Sequence, residues 1–463
     1  MKKIQKIESF ITEVMNIHGL VGIAAGVVKD GKTVLEAGFG KINLTKNDPV
    51  TNSSVFHLAS ISKLFTASAI MQLIENGLVN LDDSPQMYLP CLKMHNTFTN
   101  HVCIRHLLSH SSGISDVIDY GWDRPEYDDG ALERYIQSLD LELLFNPGTR
   151  FSYSNIAYEI LGAIIAVVSG MPFETYIKNN LLDLLQMENC SFHVNEIPDL
   201  NKTCPHSKDL ETRVSEIYPY NRAHAPSSTL QANIGAMNLW AIANLNKEKI
   251  FKQESSFEKM TVPCEQVVDP NRKTKHVGLG WFLDERRGIS YQYHSGHDVG
   301  FTTYHLIVPQ ESLAITVLCN TAPAPIEAIA FGVLDIVVFD DNPEMMRPHI
   351  VKTIGPVFLA QGAEAMKTRY YEMRENQSEM YDFGVGGFLD AANSLLDLNR
   401  NELALKFLQT VLEIDNANAK VFETLARAYF QHGDYENAIK SAQLSLQIDP
   451  DNPFLKQQLN ALN

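Results

Sequence analysis

The chain has 463 residues, of which 45% are hydrophobic and 20% are charged, and its formal net charge is −17. This length exceeds the roughly 250–300 residues at which one hydrophobic core stops growing, so we expect at least two domains. The acidic balance disfavours nucleic acid as a partner, because a surface that binds phosphates needs clustered lysine and arginine.

Cysteine usage and the N-terminal segment bound the class of protein further. The six cysteines lie far apart without a CxxC pair, which favours free thiols over a disulfide framework. Two short patterns, HVC at 101–103 and CPH at 204–206, lack the second ligand pair of a zinc site, so the sequence implies no metal and no other cofactor. The first residues show helical periodicity instead of a signal peptide's apolar core, and no stretch approaches the ~20 apolar residues of a membrane span. We expect a soluble chain, cytoplasmic as the sequence stands, and periplasmic or secreted if a leader was removed.

The first 340 residues predict an α+β domain. An amphipathic helix near 4–17 precedes two Val-rich runs within 21–43, which flank the Asp-Gly turn signal of a β-hairpin. Helical patterns dominate 60–257, and strand character returns at 276–283, 289–296, 300–309 and 312–320, as three antiparallel strands or four if the first is separate. A helix is expected over 326–339. The simplest packing joins both strand groups in one antiparallel sheet flanked by helices, with the mostly helical segment inserted between them.

Beyond residue 341 the pattern is helical throughout. At a step of 34 residues Ala392 aligns with Ala426 and Ala404 with Ala438, and Gly433 falls at a turn. This resembles two tetratricopeptide repeats, at about 385–418 and 421–450, although a plain helical hairpin packed on the first domain is the alternative. Such arrays normally need about three units, so a helix at about 357–374 is expected to cap them. The expected domains are 1–340, a helical linker or cap at 341–384, and repeats at 385–463.

Ser60 and Lys63 form an S-x-x-K pattern at the start of an apolar helix. Residues three apart share a helix face, so the amine can reach the hydroxyl, and apolar neighbours disfavour the charged form of the lysine. A neutral amine can take a proton from serine, which is otherwise a poor nucleophile. The alternative is a helix-capping serine with a solvated lysine. A second S-x-x-K, at Ser256 and Lys259, lies in a charged stretch and is not expected to react.

Two further elements complete a candidate site. Tyr153 and Asn155 lie on a loop that leads into a helix, where a phenol can relay a proton and an amide can bind Lys63 and the substrate. His294-Ser295-Gly296 ends a strand, where the glycine would let a substrate backbone approach, and the amide of His297 could join that of Ser60 in an oxyanion hole. The same spacings recur at 435–437 and 276–278, where packing in a helix and in a strand explains them.

Taken together, the three elements in this order resemble the β-lactamase and penicillin-binding protein set. The variant here is similar to the class C β-lactamase-like branch, which includes class C β-lactamases, DD-peptidases, D-aminopeptidases and family VIII carboxylesterases. Stretches such as IRHLLSHSSGI at 104–114 and PGTRFSYSN at 147–155 carry the resemblance, which spans about residues 5–340. It implies a β-lactamase/transpeptidase-like fold and Ser60 as an acylated nucleophile, with base and acid duties shared by Lys63 and Tyr153. Which of these two takes the first proton stays open, because close groups titrate as a pair.

One departure from the pattern bears on the substrate. His294 stands where β-lactamases and most DD-peptidases carry a lysine, and a histidine is largely neutral near pH 7, so it attracts a substrate carboxylate less. We therefore expect a serine hydrolase of esterase or peptidase type acting on a small ester or peptide substrate. The alternatives are a β-lactamase or DD-peptidase, in which Ser295 could still bind a carboxylate, and a silent scaffold. The repeats would bind a protein partner or a second subunit.

Overall fold

The chain is described here from a computed structural model, which covers residues 2–95, 97–264, 276–414, 418–450, 452, 455, 456 and 459. The strands in chain order are β1 (Gly22–Lys29), β2 (Lys32–Gly40), β3 (Phe56–His57), β4 (Lys93–His95), β5 (Asp140–Glu142), β6 (Cys190–Ser191), β7 (His206–Lys208), β8 (Thr212–Val214), β9 (Gln231–Ala232), β10 (His276–Val277), β11 (Phe282–Arg286), β12 (Ile289–Asp298), β13 (Phe301–Val308), β14 (Leu313–Cys319) and β15 (Thr321–Ala322).

The helices of the first 340 residues are α1 (Lys2–His18), α2 (Ser62–Glu75), α3 (Ile104–Leu108), α4 (Ala131–Ser138), α5 (Asn155–Ser169), α6 (Phe173–Ile177), α7 (Ala225–Ser228), α8 (Ile234–Asn246), α9 (Glu254–Met260) and α10 (Ile326–Leu334). They are followed by α11 (Val351–Gln361), α12 (Ala363–Asn376), α13 (Val385–Asp397), α14 (Asn401–Ile414), α15 (Ala419–His432) and α16 (Tyr435–Ile448).

The central element is one antiparallel sheet of seven strands in the order β10-β11-β12-β13-β14-β1-β2. The hairpin β1–β2 joins the late strands through β14, with Ile23 opposite Cys319 and Lys29 opposite Leu313. The predicted single sheet with an inserted helical segment is therefore confirmed. The predicted strand over 276–283 is wrong: β10 and β11 are separate, so the described residues from 276 onward contribute five strands, β10–β14, to this sheet. A tight turn divides β10 from β11, in which Gly278 N–H donates to Trp281 O and Gly280 has a φ of +90°.

The inserted segment is less purely helical than its sequence pattern suggests. It contributes to three small sheets, in the orders β15-β7-β8, β3-β9-β6 and β4-β5. Strands of two or three residues are too short to show a period-2 alternation, which explains why the pattern did not predict them.

Helices cover both faces of the central sheet. On one face α1 and α10 pack through Ile7, Ile11, Ile329 and Val333, as expected for the helices at 4–17 and 326–339. On the other face the insert forms the larger core, in which α2, α5 and α8 meet. Residues 62–73 of α2 are all buried, so this helix runs through the centre of the domain.

The last quarter of the chain forms helices α11 to α16, in which α11 contacts α12, α13 contacts α14 and α15 contacts α16. The single cap helix predicted at about 357–374 is wrong, because Gly362, with a φ of +82°, ends α11 and begins α12. The core of these helices extends into the first domain, since it includes Leu210 from the β7–β8 turn. Beside it, the buried carboxylate of Asp209 lies 3.5 Å from Arg400 of the α13–α14 turn.

Within the described ranges, no single helix combines the length and apolar composition of a membrane span. One bent pair, Asn155–Ser169 with Phe173–Leu182 at an angle of 76°, passes by length and composition alone. The first of these helices is α5, whose residues 155–165 are buried in the protein core.

Candidate active site

Ser60 lies in a single 3-10 turn, Ala59–Ile61, that leads directly into α2. The segment before it is fixed by backbone bonds: Leu58 N–H donates to Leu230 O at 2.8 Å, and Leu58 O accepts from Thr303 Oγ1 at 2.7 Å. Ala59 has a φ of +50°, a left-handed conformation that is uncommon outside glycine. The half-buried Ser60 hydroxyl is thus presented from a rigid and locally strained turn.

Lys63 is fully buried one turn further on, with an exposed fraction of 0%. Its Nζ lies 2.9 Å from Ser60 Oγ, 2.6 Å from Asn155 Oδ1 and 2.8 Å from Ser227 O. Burial strips water from the ammonium and lowers the pKa of Lys63 from 10.5 to about 8. The amine therefore touches the hydroxyl and is partly neutral near pH 7.

Three carboxylates oppose this effect of burial and raise the pKa of Lys63: Glu159, Asp116 and Asp298, in that order. Glu159 is buried on α5, where its Oε1 accepts from Ser227 Oγ at 2.6 Å. Asp116 Oδ1 accepts from both the backbone and the side-chain amide of Asn155, at 2.8 and 2.9 Å. The lysine is therefore shielded from water, which favours its neutral form, and lies near carboxylates that favour its charged form.

Tyr153 and Asn155 converge on the same amine from the start of α5. The ring of Tyr153 lies 5.0 Å from Lys63 Nζ and stacks on His110, with the ring centroids 4.2 Å apart. Ser154 caps the helix by accepting from Ala157 N–H. The extended backbone of this cap turns the phenol and the amide of the Y-x-N pattern towards Lys63.

The H-x-G pattern lies on β12, the strand that faces the nucleophile turn. The buried ring of His294 lies 6.5 Å from that of Tyr153, and its Nδ1 is 2.7 Å from Ser295 O. Ser295 and His297 are exposed, as the strand alternation requires of positions opposite to the buried His294 and Gly296.

Packing gives a reason for glycine at position 296 that the sequence did not predict. A Cβ on this residue would lie 2.3 Å from both Leu58 O and Thr303 Oγ1. The glycine is therefore required for β12 to approach the nucleophile turn, and close approach of a substrate need not be invoked. The last part of β12, residues 295–298, pairs with β13 on one edge. Among the described residues it has no strand partner on the other edge, because β11 pairs with β12 only as far as Tyr293.

The recurring short patterns lie on other elements, as predicted, but packing does not explain two of them, because Tyr435 and His276 are exposed. Ser256 lies on α9 and donates to Glu75 at 3.0 Å, while Lys259 is exposed. His276 is exposed on the short β10, and Tyr435 begins α16 in the repeats.

The sequence reasoning missed Asp116, Glu159, Ser227 and Asp298. Glu159 could have been recognised from the sequence, because it is the one charged residue in the apolar run of α5. Asp298 could have been recognised as well, since strand alternation places it on the same face of β12 as His294 and Gly296. Asp116 and Ser227 lie on connections whose approach to the site only the fold determines. No group of three or more His, Cys, Asp or Glu side chains suited to a metal ion occurs among the described residues, and all six cysteines are free.

Comparison with known proteins assigns the class that this fold and site suggest. The family model described as Beta-lactamase matches residues 7–335, and a tetratricopeptide repeat model matches residues 395–457. The chain therefore belongs to the beta-lactamase family and carries C-terminal tetratricopeptide repeats. The family's members are typically serine hydrolases, which supports an enzyme of that broad type.

Individual relatives are distant. The chain is 27% identical over 321 residues to Protein flp of Staphylococcus aureus (strain MRSA252). The aligned region covers 68% of this chain and 62% of that protein. It is 31% identical over 186 residues to Penicillin-binding protein 4* of Bacillus subtilis (strain 168), or 39% of each. Among solved structures it is similar to the octameric penicillin-binding protein homologue from Pyrococcus abyssi, with 29% identity, a TM-score of 0.66 and coverage of 74% of this chain and 78% of that one. The match thus spans less than two thirds of the length of the Staphylococcus relative.

Proposed function

We propose that the protein hydrolyses esters or amides through an acyl-enzyme on Ser60. The observation that carries this proposal is the 2.9 Å contact between Ser60 Oγ and the buried amine of Lys63, whose pKa lies at about 8. Ser60 Oγ would attack the carbonyl carbon while its proton passes to Lys63, directly or through Tyr153. The same proton would then go to the leaving group as its bond breaks. Water would release the acyl group by the reverse proton route.

The amides of Ser60 and His297 are the proposed oxyanion hole. Gly296 brings β12 against the nucleophile turn, which supports this pairing. Asn155 would hold Lys63 and contact the substrate, because its Oδ1 accepts from the amine while Asp116 holds its Nδ2.

We propose ester or neutral-amide substrates in preference to penicillins and D-Ala-D-Ala peptides. Three carboxylates act on the amine at the centre of the site, and a carboxylate-bearing substrate would add a fourth negative charge. His294 stands where a lysine would attract that charge. Ser295 is exposed on the opposite face of the strand from His294, which weakens its case as the carboxylate ligand.

A substrate panel tests both parts of the proposal. Intact-mass detection should show a covalent adduct on Ser60 with a fluorophosphonate, and none in Ser60→Ala. Short-chain p-nitrophenyl esters should be turned over faster than nitrocefin and D-Ala-D-Ala peptides. Nitrocefin turnover that exceeds the ester rates by orders of magnitude would refute the substrate preference. Absence of an adduct between pH 6 and 9 would favour a silent scaffold.

We also propose that the repeats mediate association with a second copy of this chain. The last helix pair exposes four large apolar side chains, at 41–54% of their surface: Phe430, Tyr435, Leu444 and Ile448. The rings of Phe430 and Tyr435 contact each other with centroids 5.6 Å apart, and Leu444 and Ile448 lie one helical turn apart on α16. Neighbouring exposed apolar side chains are typical of interaction surfaces, and one structural relative is described as octameric. Light scattering should give a multiple of 51.9 kDa for the full chain and a smaller assembly for Tyr435→Ser combined with Leu444→Ser. A monomeric full chain would refute self-association.

A further inference from the structure

Asp298 links three segments of the candidate site through one carboxylate. It ends β12, next to His297, and its side chain is only 10% exposed. Its Oδ2 lies 2.7 Å from Nε2 of His57 and also accepts a hydrogen bond from Ser228 Oγ. His57 belongs to β3, two residues before the turn that presents Ser60, and Ser228 ends α7.

Each of the two residues that bond to Asp298 adjoins a segment that bears a proposed catalytic group. His57 is fully buried, pairs with Gln231 across β3–β9, and packs against Phe301 with the ring centroids 5.5 Å apart. Ser228 follows Ser227, whose carbonyl oxygen accepts from Lys63 Nζ at 2.8 Å. Displacement of Asp298 would therefore also displace the turn that presents Ser60 and the carbonyl that binds Lys63.

We propose that Asp298 is a positioning residue, whose carboxylate holds the strand that bears the His297 amide in register with the segments that bear Ser60 and Lys63. A carboxylate suits this purpose because one oxygen can accept from two donors, and charge-assisted bonds are shorter and stronger than neutral ones. The inference rests on the proposed function, because it concerns the distance between the two amides of the oxyanion hole.

The contacts around Gly296 explain why such a link is needed. Gly296 packs closely against the turn, and its pairing partner Thr303 on β13 bonds to Leu58 O, so both strands are fixed on one side of the turn. Beyond Gly296 the strand runs out to the 298–301 turn, where Asp298 provides the hydrogen bonds described here to the nucleophile segment and to α7. The carboxylate thus acts at the end of the strand where the proposed oxyanion amide lies.

Asp298→Asn tests the proposal in the full-length protein, because asparagine keeps the shape but cannot accept both hydrogen bonds with equal strength. At pH 9, where the amine of Lys63 is mostly neutral with or without the charge of Asp298, we expect kcat with p-nitrophenyl acetate to fall about 10- to 100-fold while KM changes less than about threefold, because small misplacements act on the transition state. The corresponding thionoester, whose sulfur accepts hydrogen bonds weakly, should lose less rate. The ratio of ester to thionoester rates should therefore fall as well.

Two further variants separate positioning from charge and from folding. Ser228→Ala removes one bond and no charge, so kcat should fall by about tenfold or less with the acid limb of the pH profile unmoved. Glu285→Gln, on the exposed side of β11, removes a carboxylate from the same sheet and should leave all these values unchanged.

The inference is overturned if Asp298→Asn retains the wild-type kcat and rate ratio, or if ester and thionoester rates fall equally together with the unfolding temperature. Failure of the proposed function looks different, since the wild-type protein itself would then form no fluorophosphonate adduct on Ser60.

Discussion

The pKa of Lys63 should set the pH dependence of acylation. With a pKa of about 8, roughly one tenth of the amine is neutral at pH 7, about 300 times more than for an ordinary lysine with a pKa of 10.5. If the neutral amine takes the proton of Ser60, directly or through Tyr153, kcat/KM should rise about tenfold per pH unit well below pH 8 and level off above it. The charged groups that raise this pKa are Glu159, Asp116 and Asp298.

Glu159→Gln is the sharpest perturbation of this balance. Glutamine keeps an oxygen that can accept from Ser227 Oγ but removes the charge that raises the pKa of Lys63 most. A drop of about one pKa unit, the low end for an opposite charge at close range, would raise the neutral fraction at pH 7 from about one tenth to about one half. The variant should therefore acylate about fivefold faster than wild type at pH 7 and within about threefold of it at pH 9.

The measurement is kcat/KM for p-nitrophenyl acetate from pH 6 to 10 at constant ionic strength, since this quantity reports the free enzyme. Glu133→Gln, on the exposed side of α4, is the matched control and should follow the wild-type profile. An acid limb in wild type above pH 9.5, or a limb that moves up in Glu159→Gln, would refute the claim that burial and carboxylates together set this pKa.

Three further outcomes follow from the packing around the site. Lys63→Met should lower acylation at least about 100-fold, the scale of a lost general base, whereas Lys259→Met should leave the rate unchanged in the same assay. Gly296→Ala should lower kcat with p-nitrophenyl acetate about 100-fold, because its Cβ meets two oxygens at 2.3 Å and displaces β12; wild-type rates would refute this. Leu210→Ala should lower the free energy of unfolding in urea by about 2–5 kcal/mol, because Leu210 is 1% exposed inside the repeat core, and a loss below 0.5 kcal/mol would contradict that packing.

The sequence was sufficient to predict the central sheet with its inserted segment and the principal side chains of the candidate site. The Asp-Gly turn and the strand-forming residues of the late segments predicted one sheet, because hairpin turn chemistry and strand composition are local properties. Ser60 and Lys63 were separable from Ser256 and Lys259 because an apolar helix around a lysine implies desolvation, whereas a charged stretch implies a solvated amine. In the structure the first lysine is fully buried and the second is exposed.

What the sequence could not supply is whatever depends on long-range approach. Nothing near Asp116 in the chain indicates that it holds the amide of Asn155, 39 residues away. The packing constraint at Gly296 could not be predicted for the same reason, since the atoms that exclude a side chain belong to Leu58 and Thr303. Gly362 ends α11 within a pattern that is helical on both sides, which is why one helix was predicted there.

The acidic surroundings of Lys63 hold its pKa at about 8, between the 10.5 of an exposed lysine and the lower value that burial alone would give. Burial without them would lower the pKa further and leave a weaker base, whereas more exposure would return it towards 10.5 and leave the amine protonated. Glu159 and Asp116 are placed at a distance from the hydroxyl, through Ser227 and Asn155, so they act by charge without competing for the proton of Ser60. Catalysis at this site would therefore depend on carboxylates that need never touch the substrate, and substitution of these residues should move the pH profile before it changes substrate binding.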